Sequence, residues 1–354
     1  MRAVLACLLV AGCLDVAEER TLREEEIGRS SAEGLSVSVD DGVASVQRLD
    51  RAGALLWASA PALTVRLTFP APAPPSFTLA VDNAMPGALL GGVSAVATDG
   101  AAPTERRFTF TPAPGEVVLA VAPPDAAVTG PFRFAALADV QEAIGKVQDI
   151  YRRMNEDPQL RFVVFDGDLT QWGNTEELRR FQRECKSLRV PLYATLGNHE
   201  LGGRPPAFHT VFGRGSFRYL FRGVQFTMLD SASATIAPTT YTRLDGWLAE
   251  GRPRLHVVGM HIPPIDPVGT RNGAFASRAE AGKLLALLAG GGVDLTLYGH
   301  IHSYYSFWNA GIPAYISGGG GSIPERFDGI GRHFLVVDAD PTLGEVKVHV
   351  VRVD

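Results

Sequence analysis

Five short segments of this 354-residue chain carry side chains able to bind metal ions or move protons. They are Asp139-Val140-Gln141, Asp166-Gly167-Asp168, Gly197-Asn198-His199-Glu200, His261 and Gly299-His300-Ile301-His302. Carboxylate, amide and imidazole are oxygen and nitrogen donors, which suit Zn, Mn or Fe better than Ca. A carboxylate flanked by two His-bearing loops is the material of a two-metal hydrolase. Each segment alone has an ordinary reading. Asp139 and Asp168 could cap helices, Asn198 could turn the chain, and His261 could open the loop Ile262-Pro263-Pro264. An H-x-H pair also arises by chance and needs context. The context is order: each segment follows an apolar, strand-like run. His209, His256, His333 and His349 lack it and read as core or surface residues. Arg271 and Asn272, in a Gly/Pro-bearing loop after His261, read as solvated.

The elements that must position these residues alternate from Phe132 onward. RFAALAD, RFVVFDGD and VPLYATLGN read as strands, separated by the helical patterns QEAIGKVQDIYRRMN and NTEELRRFQRECKSL. Asn174 ahead of Glu177 predicts a helix cap. VQFTMLD, RLHVVGM, VDLTLYG, AYISGG, HFLVVDA and EVKVHVVRV predict further strands, with helical patterns near TYTRLDGWLAE and ASRAEAGKLLALLA. In such α/β sheets ligands bind beyond the carboxyl ends of strands, so the five segments can converge at one rim. Cys185, within a helical stretch, reads as a buried, inert thiol.

Residues 35–130 differ. Short stretches of period-2 alternation, from LSVSVD to EVVLAVA, are separated by DDG, PAPAPP, NAMPG, TDGAAP and PAPG. Six or seven such strands predict an antiparallel β-sandwich of immunoglobulin or fibronectin-III type. No ligand cluster lies in it, so it reads as a spacer or packing module. With 46% apolar and 20% charged residues the chain is globular, and its length suits two domains. A net charge of −5 supplies no global field for nucleic acid, and no specific nucleic-acid binding is expected.

The first thirteen residues, MRAVLACLLVAGC, join a basic Arg2 to an apolar run from Ala3 to Gly12. That run is too short to span a bilayer but suits a secretory signal. Val10-Ala11-Gly12-Cys13 resembles a bacterial lipobox, which implies cleavage before Cys13 and a lipid anchor on it. Leu14 in place of Asp implies the outer membrane or cell surface of a bacterium. The expected organisation is a signal peptide at 1–12, an acidic solvated tether at 13–34, the sandwich at 35–130 and the α/β domain at 131–354.

The ordered segments of that last domain resemble the calcineurin-like metallophosphoesterase superfamily, whose pattern runs D-x-H, G-D, G-N-H-[DE], H, G-H-x-H. The resemblance covers residues 132–354, including MLDS (228–231) and SGGGGS (317–322). It implies an αββα sandwich and a dinuclear site holding two divalent ions, Mn, Fe, Zn or Ni. Asp139, Asp168 and His302 would take the first ion; Asp168, Asn198, His261 and His300 the second. His199 would assist the leaving group. Asp166 has no metal role. Gln141 stands where most members carry His and would offer an amide oxygen, a weaker ligand. Purple acid phosphatases place a Tyr three residues after the shared Asp; here Gln171 stands there, which argues against an Fe(III)–tyrosinate centre. The implied activity is hydrolysis of phosphomonoesters or phosphodiesters by a metal-activated water, a hydrolase acting on ester bonds. The alternative is a catalytically weak cell-surface binding lipoprotein on the same fold, for which Gln141 is the only support.

Overall fold

The computed structural model describes residues 16–269, 272–325 and 329–353. The expected signal peptide and Cys13 lie outside the described residues, as does Arg271.

Residues 16–23 form a helix, α1. Ten strands follow: β1 (Arg29–Ala32), β2 (Leu35–Val39), β3 (Ala44–Asp50), β4 (Gly53–Ala58), β5 (Leu63–Phe69), β6 (Phe77–Asp82), β7 (Leu89–Gly91), β8 (Val96–Asp99), β9 (Arg106–Phe110) and β10 (Gly115–Ala122). They make two five-stranded sheets, ordered β1-β2-β5-β10-β7 and β3-β4-β6-β9-β8. Alternation explains the shared core: in β5, Leu63, Val65, Leu67 and Phe69 are buried while Arg66 and Thr68 are exposed. The expectation of a purely antiparallel sandwich needs one correction. β4 and β6 pair in parallel, with Gly53 opposite Thr78 and Trp57 opposite Asp82. The chain between them crosses to the other sheet as β5, which reverses nothing in their own sheet.

The acidic stretch expected as a solvated tether is folded from residue 16 onward. Arg20 and Asp230 form a buried ion pair at 2.5 Å, and Glu24 accepts hydrogen bonds from the amides of Gly215 (2.6 Å) and Ser216 (3.2 Å). β1 pairs antiparallel with β2. Arg20 and Glu24 are satisfied by partners some 200 positions away, so a composition that suits solvent is also compatible with burial.

The α/β part continues with β11 (Phe132–Leu137), α2 (Gln148–Asn155), β12 (Leu160–Asp166), α3 (Thr175–Cys185), β13 (Leu192–Thr195), α4 (Ala207–Val211), β14 (Phe217–Phe221), β15 (Val224–Leu229), α5 (Pro238–Gly251), β16 (Leu255–Met260), α6 (Arg278–Gly290), β17 (Leu295–Tyr298), β18 (Tyr304–Asn309), β19 (Ile312–Ser317), β20 (His333–Asp340) and β21 (Glu345–Arg352). Two sheets result, ordered β13-β12-β11-β20-β21 and β14-β15-β16-β17-β19-β18. β11, β12 and β13 run parallel, as do β15, β16, β17 and β19.

These strands are mostly apolar because both faces are covered. Phe134 and Ala136 of β11, Phe162 and Val164 of β12, and Leu255 and Val257 of β16 point into the core between the sheets. Phe226 closes it, with ring centroids 5.1 Å from Phe134 and 5.2 Å from Phe162. The intervening Val163 and Phe165 pack outward on α2 and α3, and Val258 and Met260 on α5 and α6. Asn174 caps α3 by accepting from the Glu177 amide at 2.9 Å. The layers are therefore helix, sheet, sheet, helix. Asn83 joins the strand-rich part to this one: its side chain donates to Leu192 O (2.7 Å) and accepts from Leu192 N (2.9 Å), at the start of β13.

Candidate metal centre

Each of the five segments leaves the carboxyl end of a parallel strand. Asp139 follows β11, Asp168 follows β12, Asn198 and His199 follow β13, His261 follows β16, and His300 and His302 follow β17. Asp139, Gln141, Asp168 and His300 hold positive φ values of 64°, 47°, 55° and 70°. Non-glycine residues in this region cost energy and concentrate at functional sites. The loops are also pressed together: a Cβ at Gly197 would lie 2.1 Å from Asp168 Oδ1, so only glycine fits.

Asp168 is the hinge of the arrangement. Ligand atoms of Asp139, Asp168 and His302 lie within 4.8 Å of one another, and so do those of Asp168, His261 and His300. Asn198 Oδ1 is 3.0 Å from His261 Nε2, which is itself 3.2 Å from Asp168 Oδ1. Gln141 enters between the groups, but with its amide nitrogen rather than the oxygen expected as a ligand: Nε2 donates to Asp168 Oδ2 at 2.8 Å and lies 3.2 Å from His302 Nε2. His199 stands at the mouth, its amide donating to Asp168 Oδ1 (2.9 Å) and its Nε2 3.8 Å from Asp168 Oδ2. The structure thus brings together all eight residues singled out in the α/β domain. Asp166 lies behind them, fully within the fold.

Three of the imidazoles are oriented from behind. Nδ1 of His261, His302 and His199 faces the carbonyl oxygens of Asp166 (2.7 Å), Ile323 (2.7 Å) and Gln171 (2.8 Å). A carbonyl can only accept, so Nδ1 carries the proton in each ring and Nε2 faces inward. This is how ligating histidines are held. The SGGGGS segment secures the rim, with Ser322 N donating to Asp139 O at 3.0 Å.

Glu200 was part of a motif but had no role assigned from sequence. It is fully buried and accepts from the amides of Asp168 (2.9 Å), Gly197 (2.8 Å) and Thr170 (3.0 Å), and from the Thr170 hydroxyl (3.0 Å). One carboxylate thereby ties the Asp168 loop to the Asn198 loop. The signal in the sequence is an acidic residue directly after the Gly-Asn-His turn.

The protein's own charges are unbalanced here. Burial opposes ionisation of Asp168, but the charge and hydrogen bond of His261 hold its carboxyl well below the usual range. Burial likewise opposes the His261 cation, yet the Asp168 carboxylate pushes that ring up to about 9. Burial, aided by the Asp168 charge, pushes Glu200 up to about 8. Asp139 Oδ1 is buried without a hydrogen-bond donor. A site that draws a proton onto His261 and leaves a carboxylate oxygen unmatched calls for positive charge at its centre. Carboxylate and amide oxygens with inward Nε2 atoms fit divalent ions of the Mn, Fe, Zn or Ni kind.

The other histidines lie elsewhere. His209 Nε2 is 3.6 Å from Glu24, His333 Nδ1 is 2.9 Å from Gly331 O, and His349 is 3.7 Å from Asp338. His256 Nε2 pairs with the Thr227 hydroxyl at 2.8 Å, and burial pushes its pKa down to about 4. Cys185 is buried among α2 and α3, which raises its thiol well above the usual value and suppresses the thiolate. Asn272 is exposed.

The layers are those of a metallophosphoesterase α/β fold. Residues 132–304 match the family profile described as calcineurin-like phosphoesterase. Among solved structures, purple acid phosphatase PPD1 from yellow lupin (Lupinus luteus) seeds is similar in fold, with a TM-score of 0.55 at 13% identity over 83% of this chain and 70% of that one. A structure of PhoD aligns with a TM-score of 0.51 at 11% identity over 83% of this chain and 87% of that one. A dimetal phosphatase from Danio rerio aligns at 0.47 and 14% identity, over 65% of this chain and all of that one. A comparison with curated proteins gives no match.

Proposed function

We propose that this chain is a metal-dependent phosphoesterase that hydrolyses phosphomonoesters or phosphodiesters. The observation that carries the reading is the pair of ligand groups sharing Asp168. Asp139, Asp168 and His302 would hold one ion, with the Gln141 amide beside them; Asp168, Asn198, His261 and His300 would hold the other. Two such ions offset the charge of a phosphate ester and lower the pKa of a bound water. The protein supplies the rest. Glu200 fixes the spacing of the two ligand loops, and the Nδ1 contacts fix the rings. His199, three-quarters shielded yet reachable, would act as an imidazolium: it gives its Nε2 proton to the leaving oxygen and is left as the neutral ring whose Nδ1–H donates to Gln171 O. Gln171 at that position supplies no phenolate, which argues against the iron–tyrosinate form of the site.

We assign the strand-rich part to an immunoglobulin- or fibronectin-type sandwich, supported by its two sheets over one core, with the parallel β4–β6 pair as a departure. We also propose export and lipid anchoring at Cys13, on the strength of the Val10-Ala11-Gly12-Cys13 sequence. Among the described residues no helix is long and apolar enough to cross a membrane. The experiment for the activity is elemental analysis of the purified protein beside turnover of mono- and diesters with added Mn, Zn, Fe or Ni. Two ions per chain with metal-dependent turnover is expected; metal-poor protein inert on every ester would favour the binding-protein alternative.

A further inference from the structure

The apolar side chains exposed on this protein include four on loops that leave the ligand-bearing face: Trp172, Ile265, Val268 and Ile323. Trp172 follows β12, Ile265 and Val268 follow His261, and Ile323 follows β19. Two of them are fastened to the site by the backbone contacts described above. Ile323, 76% exposed, offers the carbonyl that holds His302. Trp172, 68% exposed, directly follows Gln171, whose carbonyl holds His199.

The chain beneath the Trp172 indole is rigid. Its amide donates to Glu177 Oε2 at 2.8 Å, and Gly173 N donates to Thr170 Oγ1 at 3.1 Å. The turn after His199 is packed against it: a Cβ at Gly202 would lie 1.9 Å from Trp172 O. A large indole thus stands in solvent on a backbone fastened by these contacts. Scattered exposed apolar residues need no explanation, but a rigid aromatic beside an oriented acid offers a stacking face at low entropic cost.

We propose that Trp172 selects the substrate: it stacks a planar π system in the alcohol portion of the ester, an aryl alcohol or a nucleoside, on the side where His199 meets the leaving oxygen. Ile323, Ile265 and Val268, exposed on other loops of the same face, would add apolar surface beside the charged centre. This inference rests on the proposed phosphoesterase reading for the identity of the ligand, and it deepens that reading by naming the leaving-group class.

The test separates the two claims. Binding of phenylphosphonate and methylphosphonate to the metal-loaded protein is measured by calorimetry for wild type, Trp172→Ala and Trp172→Phe. Wild type is expected to favour the phenyl compound, and its phenyl-to-methyl affinity ratio to fall about tenfold in Trp172→Ala, with most of the ratio restored in Trp172→Phe. The same pattern is expected in the KM of phenyl phosphate or adenosine 5′-monophosphate relative to glycerol phosphate, which tells the aryl from the nucleoside source. Equal affinity of wild type for the two phosphonates, or a ratio unchanged in Trp172→Ala, would overturn the assignment even in an active enzyme. Selective phenyl binding without any turnover would instead uphold Trp172 and remove the hydrolytic reading.

Discussion

Replacing Asp168 by Asn probes both ligand groups at once, because this is the residue they share. The wild-type carboxylate accepts from Gln141 Nε2 at 2.8 Å and from the His199 amide at 2.9 Å, and faces His261 at 3.2 Å. An Asn keeps the shape but removes the charge, and its NH2 group must point at one of those donors. Two unit charges 4 Å apart at an effective dielectric of 20 interact by about 4 kcal/mol, so loss of the anion between two dications costs each several kcal/mol of binding. About 4 kcal/mol at the transition state corresponds to a ~10³-fold loss of rate. Metal content by elemental analysis and turnover of an aryl ester should therefore fall together. A second readout needs no metal: in chelated protein His261 loses the carboxylate that raises it, so its pKa, followed by NMR, should fall relative to wild type. An Asp168→Asn protein with two ions and full activity would refute the shared-ligand reasoning.

His199→Ala leaves every proposed ligand in place, so metal content should stay at the wild-type level while turnover of esters with poor leaving groups falls ~10²–10⁴-fold, and less for nitrophenyl esters. Equal losses on both ester types would remove the acid role. Glu200→Ala would orphan the buried amides of Asp168, Gly197 and Thr170, at about 1–3 kcal/mol each, so denaturant unfolding should reveal a loss of several kcal/mol with weakened metal retention; unchanged stability would contradict the tie between the loops. In metal-free protein His261 is raised from 6.5 to about 9, so its contribution to stability is fully present below pH 6.5 and is lost as pH rises through about 9. Metal must displace that proton, so metal affinity should rise with pH across the same window, with proton release in calorimetry; pH-independent uptake without proton release would contradict it.

Much of the site was legible because each donor sits at the end of a strand whose apolar run is continuous, as in RFVVFDGD, and both faces of that strand are buried. The cap at Asn174 was legible for a local reason, since its partner Glu177 is three residues away. What stayed hidden depends on distance. Glu24 and Arg20 look like solvated charges until Gly215, Ser216 and Asp230 are folded against them. The parallel pairing of β4 with β6 cannot be read from alternation, which marks the faces of a strand but not its neighbour. Residues 92–97 (GVSAVA) contain only part of a strand: β8 starts at Val96, and β7 ends at Gly91, just before that stretch. Both are mostly exposed, so hydrophobic period carries little there. Glu200 shows its function only through four donors drawn from two loops.

The central claim is that two ions share Asp168. Anomalous diffraction from crystals loaded with Mn tests it most directly. Two anomalous peaks ~3.5–4 Å apart are expected, with the Asp168 carboxylate between them, one beside Asp139 and His302 and the other beside His261 and His300. A single peak, or two peaks of which only one contacts Asp168, would contradict it.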